Sequence, residues 1–406
     1  MHVVILTQYY PPETGAPQNR LHALSKSLKS RGHQVTVLTG MPNYPEMKIQ
    51  AGYRSKILSK EEIDGVRICR SWLYVSKSKG LISRMLSYLS FAFTSFWLGL
   101  LKVRKADIVL VESPPLFLAL SAMPLVWVKR AKLVSNISDL WPESAVVLGL
   151  VKNKMAIGLA TKLEEVMYSR STLISGQTQG IVKNIESRFP VKKVVWYPNG
   201  ADLNDWTNLR RDESWREKLG LENFDFVAGY AGVIGHAQGL EVILNAAKEL
   251  QGRLNIGFVI VGHGPEKERL TALQQSLGLD NIVFAGAVTK DEMRGLLPLF
   301  DCSIVPLRKS PLFLGAIPSK IFENLACGVP VVLGVEGEAK DLFVEQGQCA
   351  LSFEPENESQ LADCLLTLAQ NDGIQDQLKE KGIDYVKKSF NRVVVNDEFI
   401  KQLESL

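Results

Sequence analysis

Four short groups of residues in this chain could do chemistry. The segment Pro318-Ser319-Lys320-Ile321-Phe322-Glu323 opens a helical stretch with a lysine in its first turn and a glutamate three residues on. Residues three apart share a helix face. A lysine at a helix start runs against the helix dipole, and a bound anion would explain it. A carboxylate on the same face could accept hydrogen bonds from two ribose hydroxyls; the alternative is a plain surface Lys–Glu pair. Two glycine turns, Gly232-Val233-Ile234-Gly235-His236-Ala237-Gln238-Gly239 and Gly262-His263-Gly264-Pro265-Glu266, each follow an apolar run. Backbone N–H groups in such strand-to-helix turns suit a phosphate. The loop Gln8–Pro17, with Gly15 just before a helix start, has the same ingredients. It is neither Gly-x-Gly-x-x-Gly nor a Walker loop, and taken singly each of these turns is of low specificity.

The elements that must position these groups follow a strand–helix alternation. Val3–Thr7, Gln34–Thr39, Val66–Cys69, Ile108–Val111 and Lys132–Asn136 are short apolar runs fit for buried parallel strands. Residues 197–212 then carry Pro198, Asn199, Gly200, Asp202, Asn204, Asp205 and Asn208, the composition of a crossing between domains. The rhythm restarts with Phe226–Tyr230, Gly257–Val261, Ile282–Phe284, Cys302–Val305 and Val329–Leu333. This pattern predicts an α/β chain of two Rossmann-like, doubly wound domains facing a cleft. Ligands of such sheets sit at the carboxyl ends of the strands. The stretch from about 374 onward reads as helical.

Composition narrows the class. The chain has 406 residues, 46% hydrophobic and 22% charged, which excludes a disordered chain and a polytopic membrane protein. A net charge of +4 argues against a general nucleic-acid binder. The five cysteines are scattered and odd in number, which fits reduced thiols better than a disulfide framework or zinc site. The N-terminus lacks a basic region and cleavage site, so cytoplasmic residence is expected. One region stands apart. Between Asp64 and Asp107 there is no acidic residue, while Arg67, Arg70, Lys77, Lys79, Arg84, Lys102, Arg104 and Lys105 fall inside it. Within it, Met85–Leu101 is uncharged and rich in aromatic residues. Either this is a buried helix, or it is an apolar and basic surface lying on an anionic membrane. A transmembrane helix is disfavoured, because serine, threonine and glycine dilute its apolarity and the alternation continues on both sides.

Taken in order, the Gly15 loop, Asn199-Gly200-Ala201-Asp202, the two glycine turns and Glu323-Asn324-Leu325-Ala326-Cys327-Gly328-Val329-Pro330 make the chain resemble, over essentially its whole length, a GT-B glycosyltransferase of family GT4. The tetrad Asp139-Leu140-Trp141-Pro142, the opening Tyr10-Pro11-Pro12-Glu13-Thr14-Gly15 and the Pro-Ser-Lys segment resemble the WbuB-like branch of bacterial O-antigen and capsule assembly, which includes L-fucosamine transferases. The resemblance implies a first domain at 1–200, binding the acceptor, and a second at 201–384, binding a nucleotide diphosphate sugar. Residues 385–406 would cross back to the first. Glu323 would hold the ribose hydroxyls. Gly232, Gly235, His236, Gln238, Ser319 and Lys320 would surround the diphosphate, with Gly15 approaching it across the cleft. The base would lie near Gly262, Gly264 and Val288.

The sequence also departs from the family pattern. Val233 and Gln238 stand where the family has an arginine and a lysine, so Lys320 is the candidate to meet the diphosphate charge. Gly315 stands where the first glutamate of a Glu-x7-Glu pair would be, and backbone amides of Leu314–Ile317 could take its place. Asp139, at a strand end, could serve as base or orienter for the acceptor hydroxyl, or simply cap the helix after Pro142. Arg20, Asn43 and Tyr44 are candidate acceptor contacts. No Asp-x-Asp motif occurs, so no metal and no cofactor is expected. The implied activity is transfer of a sugar, such as an N-acetylated amino sugar, from a UDP-sugar to a polyprenyl-diphosphate-linked saccharide. Transfer would retain the anomeric configuration, at the inner face of a bacterial inner membrane contacted through residues about 80–105. The alternatives are a nucleotide-sugar 2-epimerase and a non-catalytic membrane-peripheral subunit of the same fold.

Overall fold

The computed structural model describes every residue except Thr14, Pro45, Lys79, Leu148 and Leu150, and the side chain of Leu81. Thr14 of the opening loop and Lys79 of the basic region therefore lie outside the described residues. The chain divides into two compact units, Met1–Asn199 with Val393–Leu406, and Gly200–Arg392.

Unit 1 is built on an eight-stranded sheet. Its strands are β1 (His2–Leu6), β2 (Gln34–Gly40), β3 (Leu58–Ile63), β4 (Val66–Ser71), β5 (Ile108–Ser113), β6 (Lys132–Ile137), β7 (Leu173–Gly176) and β8 (Val194–Trp196). They run in the order β3-β4-β2-β1-β5-β6-β7-β8, all parallel except β3, which pairs antiparallel with β4. The central strands β1 and β5 are buried along almost their whole length because helices cover both faces. On one face pack the helix Ala16–Ser30, through Leu21, Leu24 and Leu28, and the last helix Arg392–Glu404, through Val395, Phe399, Ile400 and Leu403. Tyr197 anchors that last helix: its ring stacks on Phe399 at 4.1 Å and its hydroxyl donates to Asn396 Oδ1 at 2.7 Å. On the other face pack the helices Leu81–Lys102, Ala119–Lys129 and Lys154–Arg170.

Unit 2 has a six-stranded, fully parallel sheet of β9 (Phe226–Ala231), β10 (Ile256–Val261), β11 (Ile282–Gly286), β12 (Cys302–Pro306), β13 (Val331–Gly334) and β14 (Ala350–Ser352), in the order β11-β10-β9-β12-β13-β14. Its start and end are tied together by Ala201 N–H to the Phe390 carbonyl (3.0 Å) and Arg392 N–H to the Ala201 carbonyl (2.9 Å). The exit from unit 2 comes later than the expected 385, because Tyr385, Val386 and Phe390 belong to its core, with Phe390 5.0 Å from Phe322 ring to ring. No described helix is long and apolar enough to cross a membrane. Strands β3, β7, β8 and β14 carry no clear sequence signal: three are only three or four residues long, and β3, Leu-Ser-Lys-Glu-Glu-Ile, is a charged edge strand.

Candidate functional site

In unit 2 the carboxyl ends of β9, β10 and β11 bring three glycines side by side. Gly262 N–H donates to the Gly286 carbonyl at 2.7 Å, and Gly232 N–H donates to the Val261 carbonyl at 2.9 Å. The first two turns touch backbone to backbone. A Cβ at Gly262 would lie 1.8 Å from the Gly232 oxygen, and Gly262 has φ +138°, so only glycine fits there. Ile234 N–H donates to the His263 carbonyl at 3.0 Å, and Glu266 N–H to the Ile234 carbonyl at 3.1 Å. These bonds make one platform of the two turns, with Gly232, Gly235, Gly262 and Gly264 in it. His236 and His263 are exposed on it. Gln238 folds its side-chain amide back over Gly235, where a Cβ would lie 2.8 Å from its Oε1.

Lys320 reaches this platform from the helix Lys320–Ala326, of which it is the first residue; Ser319 precedes it without capping it through its side chain. The expected helix start near Pro318 is thus two residues early, since Pro318 supplies only the carbonyl that accepts from Ile321 N–H. Lys320 is half-buried as a residue, but its ammonium is lodged beneath Gly232, 2.6 Å from where a Cβ there would stand. It lies 3.8 Å from the centroid of the Tyr230 ring. Among the described residues it makes no ion pair. Desolvation lowers its pKa to about 7, with Glu323 pulling the other way. One turn along, Glu323 is half-buried too; burial raises its pKa while Arg392, Lys290 and Lys320 oppose the shift. Its carboxylate forms no ion pair among the described residues. Lys290 and Arg294 instead pair with Asp205.

The rest of the expected donor surface is mixed. Val288 is half-buried against the core, and Ile317 is a core residue whose side chain faces inward. The Leu314 amide closes a turn onto the Pro311 carbonyl (3.3 Å) and that of Ala316 onto Phe313 (2.9 Å). Two of the four amides expected to replace the missing glutamate are therefore already engaged, which corrects the expectation for Leu314.

Two residues were missed. Tyr230, the penultimate residue of β9, forms the ring wall under Lys320 and donates its hydroxyl to the Val233 carbonyl at 2.6 Å. Arg308, just past β12, braces the first turn by donating to the His236 carbonyl at 2.7 Å, and it pairs with Glu241 and Glu356. An arginine two residues beyond a strand end was the available signal.

In unit 1 the structure corrects the acceptor contacts. Arg20 is fully buried. Its guanidinium donates to Glu112 (2.7 Å), Asn199 Oδ1 (3.0 Å) and Ser138 Oγ (2.5 Å), so its charge is already compensated inside the protein. Asn43 is buried as well and donates its side-chain amide to the Met41 carbonyl at 2.9 Å. What organises this end of the sheet is Glu13, whose carboxylate accepts from the amides of Tyr10 (3.2 Å), Asn43 (2.8 Å) and Tyr44 (2.9 Å). Burial raises the Glu13 pKa, and those three amides oppose it. Of the three residues Tyr44 stays partly open, its ring 5.9 Å from Tyr9. Gly15 immediately precedes the helix Ala16–Ser30, and the Gln18 side chain folds onto it. Asp139 lies past the end of β6, held by the Leu140 amide and the Ser144 side chain, and desolvation raises its pKa. Its partners are those of a residue at the start of the short helix Glu143–Val147.

Comparison with known proteins matches this architecture in both units. The family description "Glycosyl transferase 4-like domain" fits residues 15–200, and "Glycosyl transferases group 1" fits residues 211–388. The chain is 28% identical over 414 residues to the Escherichia coli (strain K12) protein named as colanic acid biosynthesis glycosyl transferase WcaI, covering 98% of this chain and 99% of that one. It is 25% identical to the Escherichia coli O-antigen chain mannosyltransferase C, over 62% of this chain and 64% of that one. In fold it is similar to Anabaena HepE crystallised with UDP-glucose, at a TM-score of 0.74 and 16% identity, with all of both chains covered. The chain belongs to the GT-B glycosyltransferases of family GT4 and is an enzyme of the hexosyltransferase type.

Proposed function

We propose that this enzyme transfers a sugar from a UDP-sugar to a polyprenyl-diphosphate-linked saccharide in the assembly of a bacterial surface polysaccharide. The observation that carries the proposal is the Lys320 ammonium, seated beneath Gly232, with the Glu323 carboxylate one turn away, neither of them in an ion pair among the described residues. Lys320 would face the diphosphate and stabilise the charge that develops as the sugar leaves. The amides of Val233 and Gly235, which bond to no backbone carbonyl among the described residues, would add donors. Glu323 would accept the two ribose hydroxyls, and the Gly262–Gly264 turn with Val288 would border the base.

The relatives named for colanic acid and O-antigen synthesis support a lipid-linked acceptor, and the HepE complex supports UDP as the nucleotide. Within this reading the donor is an N-acetylated amino sugar such as L-FucNAc, as in the WbuB-like branch. Transfer retains configuration and uses Lys320 rather than a metal as counter-charge. Residues about 80–105 would hold unit 1 to the inner membrane face.

Calorimetric titration with UDP, GDP and ADP, with and without magnesium, tests the donor half. Tight UDP binding indifferent to magnesium is expected; preference for GDP would move the donor to another sugar class. Product formation on a short-chain polyprenyl-diphosphate saccharide tests the acceptor half, and turnover of UDP-sugar to an epimer without acceptor would replace transfer by epimerisation.

A further inference from the structure

We infer that unit 1 carries a second anion site, at the amino ends of its strands, that holds the phosphate of an acidic phospholipid headgroup while the adjoining helix enters the bilayer surface. The site is a cavity of about 790 Å³ lined by Lys60, Arg67, Lys102, Arg104, Lys105 and the apolar Leu101. These groups come from β3, from the start of β4, from the end of helix Leu81–Lys102 and from the segment that leads from it into β5. One carboxylate, Asp107, also lines it, and it is occupied: it accepts from His2 N–H at 2.7 Å and lies 3.9 Å from Lys105. Among the described residues, Lys60, Arg67, Lys102 and Arg104 make no ion pair. Glu62 stands opposite Arg67 in the β3–β4 register but does not line the cavity and pairs with none of them. Like charges gathered in a concave site whose one lining acid, Asp107, is already engaged call for an anion.

Leu101 identifies the source of that anion. It lines the cavity and is also the last member of an exposed row on the helix Leu81–Lys102, formed by Ile82, Leu86, Leu89, Phe93, Trp97 and Leu101. Their spacing of three or four residues puts them on one face, which runs about 30 Å at 1.5 Å per residue. The helix's opposite face is spent on the core through Phe91 and Leu98. The neighbouring helix Ala119–Lys129 packs alongside, joined by a Ser95–Ser121 hydrogen bond of 2.9 Å, and adds Trp127, 81% exposed. An apolar face with basic groups at its end lies in a lipid interface, with headgroup phosphates at the level of the cations. A free phosphate would need the cations alone; it would give no use to the apolar row that shares Leu101 with the cavity.

The pocket also lies at the opposite end of the sheet from the loops after β1 and β2, so it is separate from the acceptor end. This inference rests on the reading of a lipid-linked acceptor for its purpose, but its test uses neither nucleotide nor acceptor. Full-length protein is sedimented with phosphatidylcholine vesicles with and without phosphatidylglycerol. Binding to the anionic vesicles is expected, and no preference for them overturns the inference. Each basic group near such a surface is worth a factor of about five in partitioning, so K60Q/K102Q/R104Q should bind about 100-fold more weakly. The equally discharged control K26Q/K29Q/K401Q, on the other helix layer, should bind as the parent does. Equal loss in both would mean attraction by net charge alone and overturn the site. F93S/L101S should also lose binding; unchanged binding overturns the inserted face. Displacement from vesicles by inorganic phosphate at matched ionic strength would assign the cavity to a free anion and overturn the lipid assignment. Circular dichroism and thermal unfolding of each variant establish that it is folded, and activity on a soluble acceptor should stay at the parent level in all of them.

Discussion

The Lys320 ammonium rests 3.8 Å from the centre of the Tyr230 ring, on the side of the ring that faces Gly232. The contact binds a cation without neutralising it. A carboxylate in that place would have consumed the charge; an aromatic face holds the ammonium in position and leaves the charge in place.

A pH dependence follows from this placement. The Lys320 pKa is lowered to about 7, so in the free enzyme the ammonium gives way to the amine above that pH. If Lys320 meets the diphosphate as proposed, binding requires the ammonium, so UDP affinity should fall with rising pH above about 7, approaching tenfold per unit. Calorimetry near pH 8 in buffers of different ionisation enthalpy should show proton uptake on binding. The K320M variant should bind weakly at every pH and take up no proton at this site; a parent-like pH profile in it would remove Lys320 from the site. The sign for stability is opposite. Between about 7 and the unfolded lysine value of about 10.4, the unfolded chain holds more protons here, so this group's contribution to the stability of the ligand-free enzyme rises with pH.

For Glu323 the expectation concerns the ribose. Hydrogen bonds to a charged group contribute about 1.5–3 kcal/mol, so E323Q should weaken UDP binding by roughly 10- to 100-fold. In the parent enzyme 2′-deoxy-UDP should lose part of the same affinity, and in E323Q the two nucleotides should bind alike. Titration of both ligands against both proteins checks this, and unchanged UDP affinity in E323Q would sink the assignment.

Gly262 is where a single methyl group should matter. Its φ of +138° and the Gly232 oxygen 1.8 Å from a built Cβ leave no space for alanine. Backbone strain of this kind costs about 1–3 kcal/mol, and relief by separating the two turns would also disturb the platform. G262A should therefore lower both the urea midpoint and UDP affinity, whereas G278A, at an open helix end with φ +63°, should lower stability alone.

Arg20 and Glu112 make a prediction about folding. They are 2.7 Å apart and each side chain is 3% exposed. Removing one partner of a buried pair leaves an uncompensated charge, at a cost of about 3–5 kcal/mol. E112A should show that loss in urea unfolding, and the double variant R20M/E112L should recover much of it. A neutral E112A would mean that the pair is hydrated.

The sequence by itself determined the two-unit α/β architecture, because short β-branched runs separated by amphipathic helices can be buried on both faces only in parallel sheets. It also determined the order of the glycine turns and of Lys320 and Glu323, since those are local: three residues along one helix, or one turn after one strand. Only the tertiary structure decided what surrounds them. That Tyr230 lies under Lys320 depends on β9 and the helix Lys320–Ala326, ninety residues apart, meeting in one unit. That Arg20 is a core residue and no acceptor contact depends on Glu112 and Ser138 arriving from β5 and the end of β6. A charged side chain shows its type in sequence, but its role is set by which opposite charge reaches it through space, and that partner leaves no periodic trace along the chain.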